Sequence, residues 1–436
     1  MKNTFLCAAL VVLLCGLAVG QVHETVLWTF GGPPNDGAEP LANLVSDASG
    51  NLYGTTYQGG NATAAVCSGT GCGTVFELSP GPHGEWTETI LYDFCTAYSN
   101  GQCTDGAFPL AGLVLDQSGS LYGTTTAGGS EPCALQSTGC GIVFELSPPN
   151  SGGTWTESVM HDFCSDDVNL VCLDGAEPVG QLTFDAGGNL YGTASAGGSE
   201  NVGVVFELSL NAGLWMQTVL YNFCSAGDGI ICPDGEYPEA GITFDQSGNI
   251  YGTTEQGGGT KPNGGGTVYK LTPGSGGWTE SVLLYSRPPY PGGRSPVGTV
   301  SFDELGNIYS TANSGGPAGW GSVFRLSPNG RASYFLLDGD DGFYPVAGVL
   351  VDSKRHAIYG TTQGSDQRGT VFQMKSLTQE EVLIGFCPQH PCTNGAQPSA
   401  SLIEDKDGNL YGTTKYGGNE SLCQGSGCGV VFEVTP

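Results

Sequence analysis

The chain has 436 residues, with 42 acidic and 13 basic side chains and a formal net charge of −29. A chain this acidic lacks the basic footprint that phosphate binding needs, which excludes nucleic acid as a partner and disfavours an anionic membrane surface. Glycine is abundant at 73 residues, and long apolar stretches of 3.6-residue period are missing, which excludes a helical protein and points to an all-β fold.

Residues 1–20 read as a signal peptide. Lys2 supplies a basic start, residues 5–17 an apolar run, and Ala18-Val19-Gly20 a small-x-small cleavage site, so Gln21 is the expected mature N-terminus. The run is short for a membrane anchor. A lipoprotein reading, through Cys15, lacks the small residue expected just before the lipidated cysteine. No later segment is apolar enough to span a membrane, so a secreted protein, extracellular or periplasmic, is expected. The charge is lopsided: residues 21–260 hold 27 acidic and no basic side chains, and residues 261–436 hold 15 and 12. A solubilising acidic surface is the plain reading, and a surface that meets cations or a basic partner the sharper one.

From Gln21 onward the chain is one tandem repeat. Asn51-Leu52-Tyr53-Gly54-Thr55-Thr56 returns at Tyr122, Tyr191, Tyr251, Tyr309, Tyr359 and Tyr411, spaced 69, 69, 60, 58, 50 and 52 residues apart. Each unit holds four apolar runs of strand length, in the second unit residues 110–116, 120–125, 141–146 and 156–163. Asp116-Gln117-Ser118-Gly119 between the first two is a tight-turn signal, and a Pro/Gly/Asn turn ending in Trp155 separates the last two. Four antiparallel strands joined by hairpins make a propeller blade. The fourth run first occurs at residues 25–30, ahead of any other, and the chain stops after a third run. This predicts a seven-bladed β-propeller with 1+3 strand closure, the last blade built from residues 398–436 plus 25–30. The repeated tyrosines are expected to pack between blades, and Gly54 to let the neighbouring blade approach.

Apart from Cys7 and Cys15, fourteen cysteines form seven local pairs. Cys67/Cys72, Cys133/Cys140 and Cys423/Cys428 fall between second and third strands. Cys95/Cys103, Cys164/Cys172, Cys224/Cys232 and Cys387/Cys392 fall between one blade and the next. The loops at 257–266 and 286–296 lack both members of a pair, so local disulfides are expected in an oxidising compartment. No second Cys or His pair completes a tetrahedral metal site. Both loop classes leave an up-and-down blade on one face, so all seven bridges should staple that face, where variable loops on a rigid scaffold would bind. A basic-aromatic loop with Arg287, Tyr290 and Arg294 is a candidate binding element, against the plainer reading of a stiff connection.

Catalytic constellations are scarce. The mature chain's histidines, His23, His83, His161, His356 and His390, have no partner His at ligand spacing, and His161 stands where Tyr92 and Tyr221 stand in other units. There is no nucleophile elbow, and the glycine-rich stretches lie in β loops. Asp-Gly precedes the first strand at Asp36, Asp105, Asp174, Asp234 and Asp341, a turn signal first. Asp338, Asp340 and Asp341 form a weak calcium candidate without a closing Glu. No catalytic residue and no other cofactor is identified.

The unit Asp-Gly-x-x-Pro…Gly-Leu-x-x-Asp-x-x-Gly-Asn-Leu-Tyr-Gly-Thr-Thr…Gly-Thr-Val-Phe-x-Leu resembles the GloVer (Gloeo/Verruco-type) tandem repeat of secreted bacterial proteins. It departs from that pattern at Ser310 for Gly and at Ala194 and Ala312 for Thr. The resemblance implies a repeat architecture and export, but supplies no activity and no catalytic residues. Two function classes follow. One is a monomeric, non-catalytic propeller that binds a protein or glycan through its stapled face. The other is a hydrolase or lyase acting on carbohydrate, with Asp/Glu residues at the central channel.

Overall fold

Within each repeat the strand-forming runs pair antiparallel in chain order. The computed structural model describes residues 22–436 except 61–63, 134, 151, 169–170, 228–230, 261–263, 287–288, 340–341 and 365–367. The expected signal peptide lies outside the described residues. Blade 1 comprises Val45–Ser46, Leu52–Thr56, Thr74–Pro80 and Trp86–Asp93, and blade 2 Val114–Leu115, Leu121–Thr125, Ile142–Ser147 and Thr156–Asp162. Five more sheets of the same order complete a seven-bladed β-propeller. In the seventh, His23–Thr29 pairs antiparallel with Val430–Thr435, from His23↔Thr435 to Thr29↔Val430, with a shift of register between Val26 and Trp28.

The innermost strand is shorter than expected. Of residues 110–116 only Val114–Leu115 is ladder. The missing part has another partner. Thr55 Oγ1 of blade 1 donates to Ala111 O of blade 2 at 3.1 Å, and the bond recurs as Thr124 to Pro178, Thr193 to Ala240, Thr253 to Gly298, Thr311 to Ala347, Thr361 to Ala400 and Thr413 to Ala42. Each blade is thereby bonded to the next, and the last bond, blade 7 to blade 1, returns the ring to its start. All seven threonines are buried. Thr413→Val should leave Ala42 O without this donor and lower stability by roughly 1–3 kcal/mol in a urea titration. No change in the midpoint would mean that the bond contributes nothing net.

The glycine of the repeat has a different task from the one expected. A Cβ on Gly123 would lie 2.7 Å from Phe144 Cζ, on the adjacent strand of the same blade. The glycine makes room for that ring, and the ring in turn meets Phe94, from the end of the preceding blade, edge-on at 5.1 Å. The close approach between blades is thus made by phenylalanines, seated over glycines.

The tyrosines do pack between blades. Tyr53 joins Leu121 and Leu146 of the next blade, and Tyr122 meets Phe184 at 5.3 Å. Their hydroxyls reach the turn at the outer end of the strand. Tyr191 OH donates to Asp185 Oδ2, whose carboxylate also accepts from the Gly187 and Asn189 backbone N–H groups and the Asn189 amide. Burial opposes ionisation of Asp185, but these donors outweigh it and hold the carboxyl below its ordinary range. Asp245, Asp303 and Asp405 repeat the arrangement.

Candidate functional site

All seven disulfides form with the expected local partners: Cys67–Cys72, Cys95–Cys103, Cys133–Cys140, Cys164–Cys172, Cys224–Cys232, Cys387–Cys392 and Cys423–Cys428. Seven disulfides fit an oxidising compartment. The two loop classes meet in space. The sulfurs of Cys67–Cys72 and Cys95–Cys103 lie within 4.8 Å of one another, and Cys140 Sγ is 3.7 Å from Cys172 Sγ.

The blade-to-blade bridges reach beneath the surface: Cys232 is buried, as are Cys103, Cys172 and Cys392 at the same place in other units. The reason is the backbone at that position. Cys232 O accepts from Gly235 N at 3.2 Å and from Gly258 N at 2.8 Å, so its residue ties the Asp-Gly turn to the loop after the Tyr-Gly-Thr-Thr strand. Cys103 O, Cys172 O and Cys392 O accept the same two bonds. Cys232 is therefore an anchor beneath the face, and no ligand contact is assigned to it.

The inner strands enclose a central cavity of about 440 Å³, lined by residues from all seven blades. At one level the blades present Asn43, Gly112, Gln181, Gly241, Thr299, Gly348 and Ser401. Here the channel is crossed by side chains. Asn43 Nδ2 donates to Gln181 Oε1 at 3.1 Å, Asn43 Oδ1 accepts from Ser401 N at 2.7 Å, and Gln181 Nε2 donates to Leu113 O. Blades 7, 1, 2 and 3 are linked through this belt. Glycine leaves room for the belt: a Cβ on Gly112 would stand 2.9 Å from Asn43 O and 3.0 Å from Gln181 Nε2.

Above the belt, on the stapled face, lies the mouth of the cavity. The residue before each inner-strand proline is left-handed: Glu39, Phe108, Glu177, Tyr237, Ser295, Tyr344 and Gln397, with φ between 54° and 59°. Left-handed backbone at a non-glycine residue is strained and must be held by its surroundings. Each is held by donating its N–H to a loop of the preceding blade, as Glu39 does to Cys428 O, Phe108 to Cys72 O and Glu177 to Cys140 O. The residues after each Tyr-Gly-Thr-Thr segment, Tyr57, Thr126, Ser195, Glu255, Asn313, Gln363 and Lys415, lie beside them. Tyr57 and Phe108 rings are 5.3 Å apart, and Lys415 Nζ lies 3.6 Å from Glu39 Oε2.

The mouth is electrostatically uneven. Glu239, on the inner wall, is reached by water but walled by protein. That desolvation, with the adjacent charge of Glu255, pushes its carboxyl up to about 7. Glu177 is raised by burial as well. One side of the mouth therefore carries a carboxyl whose pKa is raised, and another side an ion pair with an aromatic neighbour. Such a site can donate and accept hydrogen bonds to hydroxyl groups, and it can give up or take a proton.

The residues singled out by sequence lie mostly elsewhere. Arg294 stacks over the Tyr290 ring at 5.4 Å, next to the left-handed Ser295, and Arg287 lies outside the described residues. Asp338 follows the outer strand of blade 5, while Asp340 and Asp341 lie outside the described residues. In three of the Asp-Gly turns the aspartate, Asp105, Asp174 or Asp234, is a buried cap. Asp105 Oδ2 accepts from the Thr96 and Ala97 backbone N–H groups and from Tyr92 OH, and His161 Nε2 lies 3.3 Å from Asp174 Oδ2 in the equivalent place.

These caps face a second row of acids, on the outer strands, that sequence reasoning missed. Burial first, then Asp36, pushes Glu88 up to about 9. Burial with Asp105 raises Glu157 to about 7, and burial with Asp234 raises Glu280 to about 7. Glu157 Oε1 and Asp105 Oδ1 are buried without a hydrogen-bond partner, as are Glu280 Oε1 and Asp234 Oδ1. Two other blades carry an amide in place of one acid. Gln217 takes the place of Glu in blade 3, and Asn394 takes that of Asp in blade 7, where it donates to Glu24 Oε2 at 3.0 Å. An amide carries its own donors at any pH, whereas two facing carboxyls have one only when one of them is protonated.

No curated protein matches the sequence. Among solved structures, the chain is similar to a candidate 6-phosphogluconolactonase of Bacteroides fragilis (13% identity, 84% of this chain and 87% of that one, TM-score 0.48). It is also similar to a polysaccharide lyase, an ulvan lyase (11%, 82% and 86%, 0.44), and to a protein of unknown function from Dyadobacter fermentans (11%, 96% and 100%, 0.45). Likenesses at this level say nothing about chemistry. The sequence itself is more specific: residues 17–262 and 245–436 match the Gloeobacter/Verrucomicrobia repeat, and the chain belongs to that family.

Proposed function

We propose that the protein is a secreted, non-catalytic binding module whose ligand, a glycan, sits over the channel mouth on the stapled face. One contrast carries this reading. Seven positions with the same left-handed backbone hold Glu39, Phe108, Glu177, Tyr237, Ser295, Tyr344 and Gln397, chemically unlike one another. The opposite face repeats Asp-x-x-Gly-Asn in most blades. A rigid frame with uniform turns on one face and individual side chains on the other has the form of a recognition surface. Aromatic rings beside amide and hydroxyl groups suit a sugar.

The test is a glycan-array screen of the oxidised mature protein, with calcium and with a chelator, beside Tyr57→Ala/Phe108→Ala. The expected result is a hit weakened about tenfold or more in the variant. A hit lost on chelation would move the calcium proposal at Asp338 forward. No hit in either condition overturns the glycan ligand and leaves a protein-binding surface.

A second reading, a hydrolase or lyase acting on a polysaccharide, is favoured by Glu239 and Glu255 alone. It predicts release of sugar ends from the array hit, with a pH profile that bends near 7 and is lost in Glu239→Gln. Binding without turnover excludes it.

A further inference from the structure

The turn face also holds a cavity, and the repeat shows how it arises. In blades 1 to 4 a tryptophan at the start of the outer strand fills the cleft toward the preceding blade: Trp155 packs against Tyr53, Leu121 and Leu146, and Trp86, Trp215 and Trp278 hold the same place in their clefts. Blade 7 uses Val22 there. The cleft between blades 4 and 5 has no tryptophan: Ala332 packs in its cluster, and Lys270 lies over the Tyr251 ring. Between blades 5 and 6 the place against Tyr309, Ile358 and Met374 is taken by Leu377, on a hairpin closed by Ser376↔Gln379. A leucine does not fill the volume of an indole, and a cleft of about 390 Å³ opens there.

Its walls differ in charge from the four clefts in which the repeat tyrosine faces a glutamate. The residue opposite the repeat tyrosine is Glu77, Glu145, Glu207 or Glu433 in four blades, but Arg325 opposite Tyr309. Arg325 Nε is buried and makes no hydrogen bond. Lys375 and His356 stand at the rim. The two aspartates in the lining are already engaged. Asp303 accepts from Leu305 N, from the Asn307 backbone and amide, and from Tyr309 OH, and Asp352 is paired with Arg355. Glu304 is exposed at the edge. Neither Arg325 nor Lys375 forms an ion pair among the described residues.

We propose that this cleft binds a small aromatic carboxylate, its ring in the place that an indole occupies in four other clefts and its carboxylate on Arg325. The apolar wall of Ile358, Met374 and Leu377 takes the ring. The guanidinium supplies a planar donor pair that matches a carboxylate. The volume lies within the usual range for small-molecule sites. This site is separate from the stapled face and does not depend on what binds there.

The test is calorimetric titration of the mature protein with indole-3-acetate, and with neutral indole-3-ethanol as control. One saturable site for indole-3-acetate is expected, with the alcohol about tenfold weaker. Arg325→Glu restores the residue that four other blades carry, so it should fold. It should weaken the acid about tenfold or more and abolish the preference over the alcohol. Leu377→Trp should fill the cleft and block both. Absence of saturable binding to the parent at millimolar ligand overturns the proposal, as does a carboxylate preference that survives in Arg325→Glu.

Discussion

Raising the pH from 4.5 toward 9 is expected to lower the protein's thermal stability steadily, and the cause is the set of facing acids at Asp36/Glu88, Asp105/Glu157 and Asp234/Glu280. Each glutamate has a folded-state pKa raised above its unfolded value. The unfolded chain therefore loses these protons first as the pH climbs. The stabilising contribution is complete below 4.5, and it is lost on the way to about 7 for Glu157 and Glu280 and about 9 for Glu88. With screening of partly exposed partners allowed for, the fall should be on the order of 3 kcal/mol. The aspartates of the outer turns have the opposite sign, but their window lies below 3.8 and does not overlap. The triple variant Glu88→Gln/Glu157→Gln/Glu280→Gln installs the amide already present at Gln217, so its melting temperature should vary much less across the same range. A parent protein with a flat profile, or a variant with the parent's slope, would sink this account.

Reduction is the second large effect. Each bridge closes a loop of 5 to 8 residues, which chain entropy values at about 2 kcal/mol. The contributions are not additive, but removal of all seven should lower the melting temperature more than any single core substitution. The consequence reaches the mouth. Cys72 O, Cys140 O and Cys428 O hold Phe108, Glu177 and Glu39 in their left-handed geometry. Melting in dithiothreitol against buffer measures the first effect. Binding of the array hit, after reduction under conditions where the blades stay folded, measures the second. Undiminished binding would show that the staples serve stability alone.

Much of the architecture was readable because the chain describes itself seven times. Strand runs, Asp-x-x-Gly-Asn turns and paired cysteines are local, and their recurrence made each one certain. The features that were not readable join residues that only ring closure brings together. The Asn43–Gln181 bond spans 138 positions, and Thr413 reaches Ala42 across 371. Cys232 shows the limit within one unit: spacing gave its partner, Cys224, but its depth follows from bonds to Gly235 and Gly258, which the folded loops bring together. Glu239 differs from its counterparts by one side chain, and its raised pKa comes from channel walls that no spacing reveals. Sequence pattern alone assigns Gly54 to the neighbouring blade. It serves its own blade's Phe76, because register, which a sequence leaves open, decides which ring lies over it.

The pairing of His23–Thr29 with Val430–Thr435 has a bearing on the order in which the ring can close. Six blades draw their strands from neighbouring stretches of chain and can form piecemeal, but the seventh needs strands from both ends of the sequence. A chain of this design stays open along one seam until its two end strands have met.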